Sequence, residues 1–347
     1  MELYTFCKQK AKDMLKIGNR ATCFVLEGHP CYTIGEKERK RGNVMGDCTL
    51  IVNPSSGGEK APEYLEQMTE QLRKLFGQIN VKETEKQGDA IRFAYESANQ
   101  GHQAVFCMGG DGTVNETING LAAAGGKAAF GFIPLGTVND LARAISIPLD
   151  PVEAIRMLGS AVLVDLDIGK VNDRHFVSNV AAGAIPEAVG AVSIEKKTKY
   201  GPLAYFIEGG KALADQTVHR FRITVDGETF TQESPLLLIA LTNSLASFES
   251  FMPEAQVDDG KMRLVVLKES SLLDSLTLLA QVLRGEIKAS ESVIYRSFKR
   301  ATIGLEDGDS LITNVDGDEG PAFPLEIAIL PSFLKVYAPA PLHEQRG

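Results

Sequence analysis

The sequence predicts an α/β protein in two parts, an N-terminal doubly wound α/β domain and a C-terminal, mainly antiparallel β-sandwich domain. Three observations predict it. Short apolar runs alternate with amphipathic stretches from Thr49 to about residue 160, the rhythm of strands and crossover helices in a parallel sheet. After Asp165 the rhythm changes to alternating runs separated by turn residues, as antiparallel strands require. Three strand-like runs of the first part each end in a glycine-containing loop just before a helical pattern, where open parallel sheets bind ligands.

Residues 1–47 stand apart as an N-terminal extension, with a helical pattern from Phe6 to Ile17, then CFVLEGHPCYTIG and the charged cluster EKERKR. No chemistry attaches to this extension, and the spacing of Cys23, His29 and Cys31 matches no zinc pattern. In the first domain, 48–164, TLIVNP reads as a buried strand ending in a turn. Leu65, Met68, Leu72 and Leu75 place a helix over Pro62–Gly77. A weaker strand over Ile79–Thr84, a helix over Asp89–Gln100 and the strand AVFCMGG follow. Val114–Ala124 reads as a helix, AAFGFIPLG as a strand and Val138–Ile145 as a helix.

The second domain, 165–326, holds HRFRITVDGETFTQ, in which Asp226-Gly227 sits at a hairpin turn. LLLIALTNS, KMRLVVLKE and RATIGLED continue the strands, and helical patterns interrupt at Leu203–Ala214 and Leu272–Leu283. The closing segment, 327–347, is expected to return to the first domain.

Composition narrows the functional classes. The 347 residues are 44% hydrophobic and 23% charged, with no apolar run long enough to span a bilayer. The opening MELYTFCKQKAKDML lacks the apolar core of a secretory signal, so a cytoplasmic protein is expected. Five cysteines without a close pair argue against a disulfide framework or a zinc site. Net charge is −9; residues 1–45 hold nine Lys/Arg and five Asp/Glu, +4, which leaves −13 for the rest. An acidic body argues against nucleic acid as a partner, while a basic leading segment suits an anionic membrane surface or a plain solvated extension.

The three loops are NPSSGG (Asn53–Gly58), GGDGTVNE (Gly109–Glu116) and PLGTVND (Pro134–Asp140). Any one of them reads equally as a turn and helix cap; three at successive strand ends point to an anion site. Glycine lets backbone N–H groups approach a phosphate, and a helix N-terminus favours negative charge. Neither GxGxxG nor GxxxxGK[ST] is present, and no lysine is built into the loops. Asp111 would repel a triphosphate unless a divalent cation came with it. In the second domain NVDGDEG places Asp316, Asp318 and Glu319 within four positions, candidates for a general base or a solvated acidic turn. QVDDGKM adds Asp258 and Asp259, a hairpin tip or a hard-cation site.

Together NPSSGG, GGDGTVNE, PLGTVND and VDGDEG, in this order, resemble the diacylglycerol kinase catalytic-domain family, the soluble bacterial diacylglycerol and lipid kinases above all. TEKQGDA, VDLDIGKVNDRHFVSNVAAG, KYGPLAYF and DDGKMRLVV extend the likeness over about 49–340. GGDGT alone is shared with NAD and phosphofructokinase-like kinases.

The resemblance implies an active site in the cleft between two domains and transfer of the γ-phosphate of MgATP to a lipid hydroxyl, diacylglycerol first. It implies nucleotide contacts from Asn53, Pro54, Ser55, Ser56 and Gly57, from Gly109, Gly110, Asp111, Gly112, Thr113, Asn115 and Glu116, and from Thr84, Thr137 and Asn139. The family's catalytic triplet DGE reads DGD here, so Asp318, Asp316 and Glu319 stay open as the base, with Asp111 also catalytic. A structural Mg²⁺ would fall on Asp259 and the carbonyls of Gln256 and Lys261. Implied partners are MgATP and lipid at the inner face of the membrane, contacted peripherally, with a homodimer as one option; Lys196, Lys197 and Lys199 of EKKTKYG suit docking at that surface and a plain solvated face equally. A kinase for a sphingoid base, another lipid alcohol or NAD, and a non-catalytic nucleotide-binding module, are the alternatives.

Overall fold

The computed structural model describes residues 45–183, 218–244, 252, 254–268, 290–306 and 311–340. The helical patterns at 6–17, 203–214 and 272–283 and the lysines of EKKTKYG lie outside the described residues.

The first layer is built by β1 (Cys48–Val52), α1 (Ala61–Arg73), β2 (Ile79–Glu83), α2 (Asp89–Asn99), β3 (Ala104–Gly109), α3 (Asp111–Ala123), β4 (Ala129–Pro134), α4 (Asp140–Ala144) and α5 (Pro151–Met157). Its strands run parallel in the order β2-β1-β3-β4. Every residue of β1 and β3 is buried, which their unbroken apolar text requires of a sheet covered on both faces. α1 turns Met68 and Leu72 inward, and α2 packs closely on α3 because residue 120 is glycine. A Cβ there would stand 2.3 Å from the carbonyl oxygen of Ile91.

α3 starts three residues before its first apolar residue, Val114. Gly110 is extended (φ −81°, ψ −177°) and caps the helix, and Asp111 and Gly112 already form its first turn. Asp and Gly are weak helix formers, so periodicity alone delays the start; an acidic first turn suits the positive end of the helix dipole.

The rest comprises β5 (Val162–Val171), β6 (Arg174–Phe176), β7 (Asn179–Gly183), β8 (His219–Val225), β9 (Glu228–Ser234), β10 (Leu236–Ala240), β11 (Met262–Leu267), β12 (Val293–Phe298), β13 (Arg300–Leu305), β14 (Ile312–Val315), β15 (Asp318–Ala322) and β16 (Leu325–Ala338). Both DG hairpins, Asp226-Gly227 and Asp316-Gly317, have positive φ at both central residues, as the tight primed turn requires.

β16 joins the two parts. It meets β4 in parallel at Val336 and Phe130, runs antiparallel to β5 along most of its length, and pairs with β13 at its start. The parallel sheet thereby continues as β4-β16-β13-β8-β9. A second sheet, β12-β11-β10-β7-β14-β15, packs against this extension. Phe176, Phe221, Ile303 and Ile327 from one sheet and Val180, Ile239, Leu264 and Val266 from the other fill the space between them. The expected boundaries at 164/165 and 326/327 fall inside β5 and β16.

Candidate active site

The three glycine loops meet at the carboxyl ends of β1, β3 and β4. Asn53 organises the first. Its amide nitrogen donates to the Thr113 hydroxyl at 3.1 Å, and its side-chain oxygen accepts from the Ser55 N–H and hydroxyl at 3.2 and 2.8 Å. The Ser56 hydroxyl accepts the N–H of Gly110 at 3.2 Å, tying this loop to the start of α3. Loop three is held by Asn139, which stands at φ 54° and exchanges two hydrogen bonds with the backbone of Gly136 at 3.0 and 2.9 Å. Gly136 leaves room for Asp111: a Cβ there would lie 2.6 Å from the Asp111 Oδ2.

A cavity of ≈ 460 Å³ opens beside these loops. Asn53, Pro54 and Ser55 line it from loop one, Thr84 from the end of β2, and Gly112, Thr113 and Glu116 from the first turns of α3. Asp318 closes it from β15 in the second half of the chain. Glu116 also caps α2, its carboxylate accepting the N–H groups of Gly88 and Ala90 at 2.9 and 3.3 Å. The other expected nucleotide contacts, Ser56, Gly57, Gly109, Gly110, Asp111, Asn115, Thr137 and Asn139, do not line this cavity. Thr137 is exposed on loop three and Asn115 is buried within α3.

Sequence reasoning missed a basic group. Lys86 lines the cavity together with Glu85, Gln87 and Ala90. It lies two residues past Thr84 in TEKQGDA, a stretch noted for its likeness but not for its charge. Asp89 fixes this turn by accepting the N–H groups of Glu85 and Lys86 at 3.0 and 3.1 Å while pairing with Arg92 at 3.0 Å. The Glu85 amide and then Arg92 hold its carboxyl down at about 2.

The three acidic candidates of the β14–β15 hairpin occupy different surroundings. Asp316 accepts the N–H groups of Val177, Ser178 and Asn179 at 2.8, 2.9 and 2.8 Å, clamping the hairpin to the β6–β7 turn. Desolvation pushes its carboxyl up to about 6, against the opposing pull of those amides and Arg174. Asp318 reaches the cavity and pairs with Arg174 at 3.0 Å. Glu319 is exposed, and its carbonyl oxygen accepts from Arg174 at 2.6 Å. β6 couples the halves, because the next residue, His175, exchanges backbone hydrogen bonds at 3.0 and 3.1 Å with the Asn119 side chain of α3. Arg174 was not assigned a role from sequence; its partners lie about 140 positions away.

The expected cation loop closes differently. Arg263 is buried, and its guanidinium forks onto both carboxylate oxygens of Asp259 while donating to the carbonyl oxygens of Lys261 at 2.9 Å and Glu254 at 3.3 Å. Gln256 points its backbone N–H at the same carboxylate, 3.3 Å away. The residues expected to hold a structural divalent ion do not fit one.

Comparison with known proteins accords with this architecture. Residues 47–171 match the model of the diacylglycerol kinase catalytic domain, and residues 178–338 match that of the YegS C-terminal NAD kinase beta sandwich-like domain. The chain is 34% identical over 290 residues to a protein named diacylglycerol kinase from Staphylococcus carnosus, covering 84% of this chain and 94% of that one. A protein of the same name from Staphylococcus aureus strain MRSA252 shows 34% identity over 84% of this chain and 91% of its own. Among solved structures, a diacylglycerol kinase from Bacillus anthracis superposes with a TM-score of 0.71 at 25% identity, covering 84% of this chain and 96% of that one. With its glycine loops and an acidic hairpin facing one cavity, the chain belongs to the diacylglycerol kinase catalytic-domain family and is a lipid kinase.

Proposed function

We propose that this kinase transfers the γ-phosphate of MgATP to the primary hydroxyl of a membrane lipid, with diacylglycerol as acceptor and phosphatidic acid as product. The observation that carries the reading is the shared cavity: Asp318 of the second half faces Asn53, Thr84 and the N-terminus of α3 across it. The amides of that helix start, with the Ser55, Thr84 and Thr113 hydroxyls, supply donors for phosphate oxygens. Lys86 adds the positive charge that the loops lack.

In this reading Asp318 accepts the lipid hydroxyl proton as the oxygen attacks the γ-phosphorus. The bond from that phosphorus to the β,γ-bridging oxygen breaks, and ADP departs with the electron pair. Arg174 fixes the base, while Asp316, taken up by three amides, shapes the hairpin. Asp111 would hold the magnesium that arrives with ATP, and that ion would supply positive charge against the phosphates. The lipid is met at the bilayer surface in this reading, by peripheral contact at its cytoplasmic face.

Purified protein, labelled ATP and an acceptor panel of diacylglycerol, a sphingoid base, an undecaprenol-like alcohol, phosphatidylglycerol and NAD test the reading in one assay. Label is expected in diacylglycerol above the rest. Label in NAD alone, or in no acceptor while ATP still binds, overturns it.

A further inference from the structure

The loop from Glu254 to Arg263 is the place where the family resemblance and this chain part company. A divalent cation seated there needs the Asp259 carboxylate and carbonyl oxygens within about 2.0–2.6 Å. Both Asp259 oxygens and the Lys261 carbonyl instead face the Arg263 guanidinium, which also holds the Glu254 carbonyl. Arg263 is only 3% exposed, so the charge is a built part of the interior and not a surface side chain resting there. It projects from β11, which lies between β12 and β10 in the second sheet. The Tyr295 hydroxyl, on neighbouring β12, donates to the Glu254 side chain at 2.7 Å and closes that flank.

We infer that Arg263 takes the place of the structural divalent ion, so that the loop carries a covalently attached cation and its order is independent of metal. The chemistry suits the substitution. A guanidinium is permanently charged, and its planar fork matches a carboxylate through two parallel hydrogen bonds. A second cation at Asp259 would sit against that fixed positive charge and compete with the guanidinium for both carboxylate oxygens. The neighbouring acid Asp167 is engaged as well, accepting the N–H groups of Gly260 and Ser332 at 2.7 Å each. The loop is thereby pinned from two sides by groups the chain supplies itself. The ion that travels with ATP belongs to the nucleotide and is a separate matter.

The inference is tested without ATP or lipid, so its outcome is independent of the proposed reaction. Chelator-treated full-length protein is titrated with Mn²⁺ and free Mn²⁺ is read by electron paramagnetic resonance; thermal unfolding is followed with and without millimolar Mg²⁺. The expected result is no stoichiometric Mn²⁺ uptake and an unchanged thermal midpoint. In Arg263→Ala the midpoint is expected to fall by several degrees in chelator and to recover in part with Mg²⁺, as the vacated carboxylate accepts an ion. One Mn²⁺ bound per wild-type chain and lost in Asp259→Asn overturns the inference. Should either variant fail to fold, anomalous scattering from Mn²⁺-soaked wild-type crystals decides it. A manganese peak between Asp259 and the Lys261 carbonyl overturns the inference, and guanidinium density without such a peak sustains it.

Discussion

Arg174 Nη2 lies 3.0 Å from Asp318 Oδ2, an ion pair that joins β6 to β15 across 144 positions of sequence. It holds the carboxylate that faces the glycine loops. Replacing Asp318 by Asn keeps the shape and removes the proton acceptor, so kcat is expected to fall by roughly 10²–10⁴-fold, the usual worth of a positioned base, with ATP binding retained in calorimetry. Glu319→Gln is expected to leave kcat within a few-fold. The reverse ranking would move the base to Glu319.

Lys86 stands on the cavity wall where no glycine loop carries a cation. Lys86→Ala is expected to raise KM for ATP by roughly 10–100-fold, the equivalent of losing one hydrogen bond to a charged group, with kcat for lipid changed less. Steady-state kinetics at saturating lipid measure the split; an unchanged KM removes Lys86 from nucleotide binding.

Gly136 gives way to the carboxylate of Asp111. Its Cβ in Gly136→Ala would lie 2.6 Å from Asp111 Oδ2 and 2.8 Å from Asn139 Oδ1. Overpacking of this kind costs about 1–3 kcal/mol, visible in denaturant unfolding, and loop three is expected to shift enough to lower activity. Wild-type stability and turnover in this variant would show that the loop has slack.

Asp316 titrates near 6, above the 3.8 of an unperturbed aspartate, because burial outweighs the amides and Arg174. The native chain therefore keeps a proton that the unfolded chain releases between those values. The stabilisation is full below pH 3.8 and is lost as pH rises through 6. A carboxyl ¹³C titration is expected to find this midpoint, and Arg174→Gln to move it upward by removing a nearby positive charge. A midpoint near 4 in the wild type would contradict the burial argument.

Some of this was legible in the sequence and some was not, for physical reasons. β1, β3 and β4 were plain because strands covered on both faces have unbroken apolar text, and both DG turns were plain because few dipeptides tolerate two positive φ values. Loop chemistry and the acidic hairpin were also readable, since each is written in consecutive residues. Lys86 was passed over because a single lysine after a strand carries no periodic signal. Arg174 and Arg263 were passed over because an arginine's role depends on which distant oxygens the fold delivers to it. The early start of α3 escaped because Asp111 and Gly112 are poor helix formers, tolerated there by the capping geometry of Gly110.

The last strand has a consequence for how the molecule is made. β16 lies between β4 and β13, and it is the final described element of the chain. A ribosome emitting this polypeptide releases β4 long before its lateral neighbour exists, so the edge of the nucleotide layer stays open until about residue 338 has emerged. Joining of the parallel layer to its antiparallel extension is then a single late event, and truncation within those fourteen residues would split that one sheet in two.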